Sequence, residues 1–440
     1  MTISPLDYWI RAKTGATDAE SLRAYQLAKL RSTLENVKKN SRFYREQLAD
    51  IDVDRIKSID DISIIPFTTA QMLAKSPLDF VCVAPDDIER IVTLPTSGTT
   101  GPSKRIFFTK KDQELTIDFF HRGMSTLIGA GDRVMIFLPC RAEGSVGDLL
   151  MSGLERLGCE GTNYGPVEDY QDAVEALSSG GCNCAAGLPA QLFALSRLGK
   201  SLKLKSVLLC SDYVSKAAVN AIESAWGCKA FCHYGMTESG LGGGVECTAH
   251  AGYHMREADL LFEVIDPGSG EAVRDGERGE LVFTTLTRKG MPLIRYRTDD
   301  ISVVTMEPCP CGSMLRRFDR VFGRISDIIE MPGGFSISMP MLDELLFEVP
   351  GLAGFSAEIT PGAGDCILVI TVFAPNAPGV TDKAQERLRG DRCLGEMLSA
   401  GSLELQMQQG GPEVLTYGNT KRRIIRAACG REGTGNREVY

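Results

Sequence analysis

Residues 96–104 read Thr-Ser-Gly-Thr-Thr-Gly-Pro-Ser-Lys and directly follow an apolar stretch at 91–95. The two glycines allow the backbone to turn tightly and to bring its N–H groups against an anion, and the hydroxyls can donate to phosphate oxygens. Hydroxyl-rich surface loops are common, but this order, ending in a lysine after a strand, is rare by chance. Its spacing differs from GxxxxGK[ST], which disfavours an ordinary ATPase. The segment predicts a phosphate-binding loop formed by Thr96, Ser97, Gly98, Thr99, Thr100, Gly101 and Lys104.

The composition around this loop excludes several classes of protein. The 440 residues carry a net charge of −9, so no basic field exists to gather the phosphates of a nucleic acid or an anionic membrane. No apolar run approaches the roughly 20 residues of a membrane helix, and the N-terminus lacks the basic and apolar regions of a signal peptide. Fourteen cysteines without a secretion signal predict a reducing compartment, the cytoplasm, with thiols that are mostly free.

Hydrophobic periodicity predicts an α/β fold. A helix is expected over 18–48, because apolar residues recur there at helical spacing. From about residue 80, short apolar runs alternate with helical segments, a pattern typical of parallel strands with crossover helices. These runs lie at 91–97, 133–139, 206–211 and 229–235.

The second half of the chain has a different pattern. Three runs read as antiparallel strands, at 260–267, 279–287 and 301–307. After residue 323 the sequence predicts a hairpin around 331–334 and a helix near 340–348, so we place a domain boundary near 323. The polar, Gly-rich end at 430–440 is expected to be disordered.

The phosphate loop resembles the signature of the acyl-adenylating, AMP-forming enzyme superfamily, and the wider sequence resembles its phenylacetate–CoA ligase-like branch. Residues 21–48 resemble the opening helix of that branch, and 56–69 resemble the segment that leads to its loop. The similarity weakens beyond residue 323. The resemblance implies a large N-terminal domain over 1–323, with mixed βα sheets and a small β-barrel-like part. It also implies a small, mobile α+β C-terminal domain over 324–440.

A tyrosine–glycine motif at 234–238, Tyr-Gly-Met-Thr-Glu, resembles the YGxTE motif of the superfamily. In that motif the tyrosine packs on adenine, the threonine contacts a phosphate and the glutamate holds Mg²⁺ beside ATP. The resemblance therefore implies a nucleotide-binding segment formed by Tyr234, Gly235, Met236, Thr237 and Glu238.

Two other segments complete the predicted nucleotide pocket. Cys210-Ser211-Asp212 loosely resembles a short loop on the adenine side, which implies nucleotide contacts from Ser211 and Asp212. Residues 295–300, Arg-Tyr-Arg-Thr-Asp-Asp, resemble the RYRTGD motif, in which the last aspartate accepts hydrogen bonds from the ribose hydroxyls. That role falls on Asp300. Asp299 replaces the usual glycine, which tolerates positive φ more readily.

The C-terminal region supplies a hinge and a lysine by the same resemblance. Arg324 resembles the arginine that reaches the ribose and begins the hinge, whose position falls on Ser326 or Asp327. The superfamily swings a lysine to the carboxylate and the α-phosphate. Matching lysine to lysine gives Lys421, whereas matching the Arg-Ile-Ile pattern that follows puts Thr420 there. We favour Lys421 over a merely solvated basic patch, because a cation is needed where two anions meet.

A cysteine–histidine cluster is the remaining chemical feature. Cys309 and Cys311 form a pair with one residue between them, and Cys247 and His254 lie upstream. Four unconnected residues are the alternative, since zinc pairs more often have a two-residue gap. Relatives in the branch carry a similar pattern, which resembles a structural zinc site. The resemblance implies Zn²⁺ at these four residues, with His250 as the reserve ligand.

Together these features predict an acid–thiol ligase with Lys421, Thr237 and Glu238 as catalytic residues. The expected reaction activates a carboxylic acid with ATP and Mg²⁺ to an acyl-adenylate and then transfers the acyl group to coenzyme A. The resemblance implies an aromatic acid, with a pocket formed by 137–144 and 234–244.

Other functions stay open at the level of sequence. The acceptor could be a carrier-protein thiol, the enzyme could adenylylate a carboxylate of a cofactor, or the chain could be a non-catalytic nucleotide-binding relative. The oligomeric state is also open, with a homodimer among the possibilities.

Overall fold

The computed structural model describes residues 4–94, 103–199, 201–361, 366–375, 377–415 and 421–426. The loop residues 96–101, Thr420 and the C-terminal end at 430–440 lie outside the described residues. No helix within the described ranges has both the length and the apolar character that a membrane crossing requires.

Helices contribute most of the outer layers of the molecule. Within the described residues they are α1 (Pro5–Thr14), α2 (Ala19–Asn40), α3 (Arg42–Gln47), α4 (Ala70–Lys75), α5 (Lys110–Met124), α6 (Val146–Leu157), α7 (Tyr170–Ser179), α8 (Pro189–Leu198), α9 (Lys216–Trp226), α10 (Met339–Leu346), α11 (Val380–Arg389) and α12 (Arg392–Ser399).

The prediction of a single helix over 18–48 is wrong in one detail, because the helix is interrupted at Ser41. Ser41 has an extended backbone, and its side chain accepts a hydrogen bond from the backbone N–H of Tyr44, so that it caps α3. Its hydroxyl also donates to the carbonyl of Asp79 at 2.8 Å. Tyr44 is fully buried, and its ring stands edge-on to that of Phe80. Tertiary packing of α3 therefore ends α2 at Asn40, although the helical pattern of the sequence continues.

The strand predicted at 91–97 does not join the parallel sheet. Instead β1 (Ile88–Leu94) pairs with β2 (Lys104–Thr109) in an antiparallel ribbon. Half-buried and exposed residues alternate along β1, whereas strands in a parallel sheet are buried on both faces. The phosphate-loop segment connects the two strands of this ribbon.

Parallel strands form one half of the large sheet, as the alternating pattern predicts. They are β3 (Arg133–Phe137), β4 (Glu160–Asn163), β5 (Cys184–Gly187), β6 (Ser206–Leu209) and β7 (Lys229–Tyr234). The spatial order is β4-β3-β5-β6-β7. β5 and β6 are buried at every position, because helices cover both faces.

Antiparallel strands continue the same sheet beyond β7. They are β8 (Gly244–Glu246), β9 (Tyr253–Met255), β10 (Leu260–Ile265), β11 (Arg278–Thr285), β12 (Tyr296–Thr305), β13 (Arg317–Phe318) and β14 (Gly323–Arg324). The predicted antiparallel order of β10, β11 and β12 is confirmed. β14 pairs with β12 and is the last strand on this sheet among the described residues.

The C-terminal part, residues 325–426, has sheets of its own. β15 (Ile329–Met331) and β16 (Phe335–Ile337) form the predicted hairpin, which precedes α10. β17 (Gly354–Pro361), β18 (Cys366–Phe373), β19 (Leu403–Gln409) and β20 (Ile425–Arg426) form a four-stranded sheet in the order β19-β18-β17-β20. β17 and β18 are antiparallel, whereas β19 and β20 run parallel to their neighbours.

The C-terminal part packs against helices α8 and α9. The rings of Phe193 and Phe347 stack at a centroid distance of 4.2 Å. Glu344 of α10 accepts hydrogen bonds from the backbone N–H groups of Lys216 and Ala217, at 2.9 and 3.3 Å, and from the Tyr213 hydroxyl at 2.9 Å. A carboxylate at a helix N-terminus satisfies unpaired N–H groups and interacts favourably with the helix dipole. Glu344 therefore fastens the two parts of the chain together.

Candidate active site

A cavity of about 1100 Å³ lies between the carboxyl ends of the parallel strands and the C-terminal part. Its wall includes residues that closely follow β3, β5, β6 and β7, namely Leu138, Leu188, Cys210 and Gly235. Ligands of open α/β sheets bind outside the carboxyl ends of the strands. The position of the cavity is therefore that of a substrate site.

The cavity wall has two kinds of side chain. One group is apolar and includes Phe119, Phe120, Leu138, Leu149 and Val245. The other is charged and consists of Lys104, Glu238, Arg324 and Lys421, accompanied by Arg90, Glu413, Arg422 and Arg423. Parts of both segments expected to form an acyl pocket, 137–144 and 234–244, lie along this wall.

Glu238 lies at the centre of the charged group. Its carboxylate is buried and pairs with the amino group of Lys104, and it accepts a hydrogen bond from the Tyr296 hydroxyl at 3.2 Å. Burial is the largest influence and raises the pKa of Glu238, but the charge and hydrogen bond of Lys104, a backbone hydrogen bond and the charge of Arg324 together lower it by more, so the net pKa is lowered. Glu238 is therefore ionised at neutral pH. Thr237, its neighbour in a short 3₁₀ turn after β7, also lines the cavity.

A buried aspartate connects the tyrosine motif to the hinge segment. Asp300 accepts a hydrogen bond from the Tyr234 hydroxyl at 2.8 Å and pairs with Nε of Arg324 at 3.0 Å. Burial is the largest influence and lowers the pKa of Arg324, but the charge and hydrogen bond of Asp300, together with the charges of Glu238 and Tyr234, raise it overall. Arg324 lines the cavity, whereas Tyr234 and Asp300 lie directly behind its wall.

Asp299 has a positive φ, although glycine is the usual residue at this position of the motif. Its φ is 69°, in the left-handed region that favours glycine. The carboxylate accepts hydrogen bonds from both the backbone N–H and the hydroxyl of Ser326, and the Asp299 N–H donates to Glu280 at 3.0 Å. The Asp299 side chain, which a glycine would lack, therefore connects strand β12 to the predicted hinge by hydrogen bonds.

The loop expected on the adenine side also contains a residue with a positive φ. Ser211 has a φ of 72° and lines the cavity. Asp212 does not line it; its carboxylate instead accepts a hydrogen bond from the backbone N–H of Arg422 at 3.2 Å. The structure therefore places Ser211 at the cavity and Asp212 against the C-terminal segment.

The C-terminal segment brings Lys421 into the charged group. Burial lowers the pKa of Lys421, and the nearby Arg324 lowers it further, whereas Asp300 and Glu238 raise it. The next residue, Arg422, also borders the cavity, and its guanidinium pairs with the buried carboxylate of Asp343. Arg423 forms an ion pair with Asp327 at 3.4 Å, which makes it a contact of the hinge segment.

The cysteine–histidine cluster forms as predicted. The ligand atoms of Cys247, His254, Cys309 and Cys311 all lie within 4.8 Å of one another. The sulfurs of Cys247 and Cys309 are 3.7 Å apart, and Nε2 of His254 lies 3.3 Å from the sulfur of Cys311. His250, the reserve ligand, instead lies 3.6 Å from the carboxylate of Glu246.

Sequence motifs do not predict several contacts at the site. They involve Tyr296, which bonds Glu238, and Arg288, whose guanidinium donates to the backbone carbonyl of Glu238 at 2.7 Å. His233 belongs to this group as well, since it lines the cavity one residue before the tyrosine motif. The position of His233 on β7 is the one signal that could have revealed it, because the end of that strand faces the cavity.

Comparisons with known proteins agree with this geometry. A model of the AMP-binding enzyme family matches residues 16–286. The chain is 29% identical over 344 residues to phenylacetate-coenzyme A ligase of Thermus thermophilus. This match covers 75% of this chain and 76% of that protein. It is also 29% identical over 351 residues to phenylacetate-coenzyme A ligase of Aromatoleum evansii, covering 76% and 77%.

Solved structures share the fold at lower sequence identity. A crystal structure of 2-hydroxyisobutyryl-CoA ligase in the postadenylation state, with 2-HIB-AMP, has a TM-score of 0.81 and 20% identity, covering 95% of this chain and 92% of that one. The same ligase with 2-HIB-AMP and CoA in the thioesterification state has a TM-score of 0.67 and 21% identity, covering 94% and 91%.

Proposed function

Because this chain belongs to the AMP-binding enzyme family, we propose that it uses ATP to convert a carboxylic acid into an acyl-adenylate and then transfers the acyl group to coenzyme A. The observation that carries the proposal is the meeting of Lys104, Glu238 and Lys421 at one cavity that also has an apolar group of side chains. Cations are needed where a carboxylate meets a triphosphate, and apolar side chains suit an acyl group. The similarity to phenylacetate-coenzyme A ligases supports coenzyme A as the acceptor.

In the first step the substrate carboxylate attacks the α-phosphorus of ATP, an O–P bond forms, and pyrophosphate leaves. The carboxylate is already ionised, so the residues position the reactants and neutralise charge. Lys421 lies between carboxylate and α-phosphate, and Lys104 with the loop residues 96–101 holds the β- and γ-phosphates. Mg²⁺ that accompanies ATP supplies further charge neutralisation, and the ionised, cavity-lining carboxylate of Glu238 fits the role of its protein ligand.

The remaining nucleotide assignments follow the same geometry. Arg324 and Asp300 hold the ribose, with Asp300 oriented by the Tyr234 hydroxyl 2.8 Å away. Ser211, Gly235, Met236 and Thr237 line the cavity and form the nucleotide side of its wall. Tyr234 packs behind this wall toward the adenine, and Asp212 acts through the C-terminal segment that it bonds.

In the second step the thiol of coenzyme A attacks the acyl carbonyl, a C–S bond forms, and AMP leaves. The C-terminal domain, residues 324–440, rotates on the hinge at 323–327 between the two steps. Asp299–Ser326 and Asp327–Arg423 are contacts of this hinge that the rotation changes. The large sheet ends with β14 at Arg324 and separate sheets begin with β15 at Ile329, which supports a division near residue 323.

A structural zinc ion at Cys247, His254, Cys309 and Cys311 completes the proposal. With a Zn–S distance of about 2.3 Å, two sulfurs of a tetrahedral site are roughly 3.8 Å apart, close to the 3.7 Å between Cys247 and Cys309. The donor set of three sulfurs and one imidazole suits zinc, and four protein ligands leave no open position for catalysis. Free thiols among the described cysteines, such as Cys159, Cys184 and Cys228, support a reducing compartment, and we place the enzyme in the cytoplasm.

ATP–pyrophosphate exchange over a panel of carboxylic acids tests the first step. Exchange that depends on both an acid and Mg²⁺ is expected, and no exchange with any acid would argue for a non-catalytic nucleotide-binding protein. AMP release is then measured with coenzyme A, with a carrier protein and with neither. Release stimulated by coenzyme A is expected, whereas stimulation by the carrier protein alone would contradict the proposed acceptor.

A further inference from the structure

Two polar atoms are buried among the apolar side chains of the cavity wall without a hydrogen-bond partner. They are Nε2 of His233 and the hydroxyl oxygen of Ser145, and neither bonds any described residue. Both side chains line the cavity. An unsatisfied buried polar atom destabilises the folded protein, so native proteins rarely keep one without a reason. A ligand that supplies the missing partner is such a reason.

His233 is held in a neutral form by its surroundings. Its ring lies against those of Phe119 and Phe120, with centroid distances of 5.9 and 6.0 Å. Burial lowers its pKa to about 4, and the charge of Arg256 contributes in the same direction. A neutral imidazole has one donor and one acceptor nitrogen, so it suits an uncharged polar group rather than an anion.

Ser145 also lines the cavity and lies at the N-terminus of α6. It occupies the N-cap position and is only 5% exposed, yet its side chain makes no capping hydrogen bond. Serine at this position ordinarily bonds the second or third N–H of the helix. Its hydroxyl therefore lacks a partner among the described residues and can bond a ligand once the side chain rotates toward the cavity, and the neighbouring helix N-terminus favours the oxygen of that ligand as an acceptor.

The backbone next to His233 packs closely against Phe119. Gly242 lies where a Cβ atom would stand 2.4 Å from Cδ1 of Phe119 and 3.5 Å from Nε2 of His233. Any larger residue would push Phe119 out of place. Gly242 therefore allows the Phe119 ring to keep its place on the cavity wall, where Phe119 and Phe120 offer aromatic surface to a ring of the ligand.

We propose that the substrate is an aromatic carboxylic acid that bears a hydroxyl group, and that His233 and Ser145 recognise this hydroxyl. The inference rests on the proposed function, since it assigns the acyl group of the same reaction. The ring packs against Phe119 and Phe120, and the carboxylate extends to the charged group at Lys421. Rotation of the Ser145 or His233 side chain turns the polar atom toward the hydroxyl. An acid without the hydroxyl leaves both atoms unpaired, so it is discriminated against.

Matched pairs of acids test this inference by ATP–pyrophosphate exchange. Phenylacetate is compared with its 2-, 3- and 4-hydroxy derivatives, and benzoate and cinnamate with theirs. At least one hydroxylated acid should exceed its parent by about tenfold or more in kcat/KM, the size of effect that one or two hydrogen bonds give. His233→Phe and Ser145→Ala should each bring the ratio of the hydroxylated acid to its parent toward one. His121→Phe, a change outside the cavity, should leave that ratio as it is.

The possible results separate the two proposals. Exchange that favours the unsubstituted acid in every pair overturns the inference and leaves the adenylation reaction standing. A hydroxyl preference that survives in both His233→Phe and Ser145→Ala also overturns it. Absence of exchange with all acids overturns both proposals. Circular dichroism establishes that each variant is folded, and if His233→Phe is unfolded, Ser145→Ala carries the test.

Discussion

The guanidinium of Arg422 forms a buried ion pair with the carboxylate of Asp343 in helix α10. It also donates to the backbone carbonyl of Phe355 at 3.0 Å and lies over the Phe355 ring at 4.4 Å. An ion pair of this kind is costly to break, because one partner would stay buried and unpaired. Arg422 thus fixes the position of the C-terminal segment. In that position Lys421 lies close enough to Arg324, Asp300 and Glu238 to feel their charges.

Replacing Lys421 should therefore abolish the first step. Lys421→Ala removes a cation from the place where two anions meet, so ATP–pyrophosphate exchange should fall by about 10²–10³-fold. Thioester formation from pre-made acyl-adenylate and coenzyme A should stay within a few-fold of the wild type. Arg423→Ala, the matched control, should lose much less exchange. Normal exchange in Lys421→Ala would contradict the assignment and favour the register that places Thr420 there.

The same lysine predicts a pH dependence. Because burial lowers its pKa, Lys421 loses its proton, and with it its charge, at a lower pH than an exposed lysine near 10.4. Exchange should therefore decline on the alkaline side at a lower pH than the titration of an exposed lysine would give. Lys421→Arg keeps its charge throughout this range, so any residual exchange of that variant should lack the decline. An identical alkaline limb in both proteins would assign the titration to another group.

The sequence predicts the fold where apolar runs are buried on both faces or alternate with polar residues. β3, β6 and β7 are recognisable for this reason, as are β10 and β11. β1 is mistaken for a parallel strand because its partner β2 follows the phosphate loop, and no local pattern reveals that pairing. The break at Ser41 likewise depends on contacts with distant residues.

The candidate site could be predicted only in its motif-bearing part. Lys104, Glu238 and Asp300 lie in recognisable segments, and the structure brings all three together. Arg422 lies in a charged run that reads as a solvated patch, yet Asp343 and Phe355 bury it. Glu344 lies 127 and 128 residues from the N–H groups that it binds, so a single sequence cannot identify this contact.

Lys104 should act on ATP rather than on the acid. Lys104→Ala removes one charge-assisted bond to phosphate, worth about 1.5–3 kcal/mol, so the KM for ATP should rise about 10–100-fold. The KM for the acid should change little, and thermal melting should show a folded protein. Lys111→Ala, an exposed lysine on α5, is the matched control and should behave as the wild type. Unchanged kinetics for ATP in Lys104→Ala would place the phosphates elsewhere.

The contact made by Glu344 should favour the arrangement that brings Lys421 to the cavity. Glu344→Ala removes the partner of two backbone N–H groups and of the Tyr213 hydroxyl, so pyrophosphate exchange should fall by about 10-fold. Thioester formation from pre-made acyl-adenylate should fall less. Glu348→Ala is the matched control, because Glu348 pairs with Arg387 inside the C-terminal part. Equal loss in both half-reactions would show a general loss of stability instead.

The proposed zinc site can be tested by the fluorescence of Trp9. Asp7 of α1 accepts hydrogen bonds from the Ser313 hydroxyl at 2.6 Å and from the Met314 N–H at 3.2 Å, so α1 is fastened to the loop that carries Cys309 and Cys311. Trp9 on the same helix is buried. Loss of the metal frees the loop and should therefore expose this side chain.

Metal analysis of protein purified without chelator should find one zinc per chain, and the double change Cys309→Ser with Cys311→Ser should remove it. In a Trp226→Phe background Trp9 is the only tryptophan, and its emission should shift to the red in the double variant. The melting temperature should fall by on the order of 5 °C or more, because binding energy at a structural site is folding energy. Cys393→Ser, outside the cluster, should change neither zinc content nor emission. Zinc that persists in the double variant, or its absence from the wild type, would contradict the site.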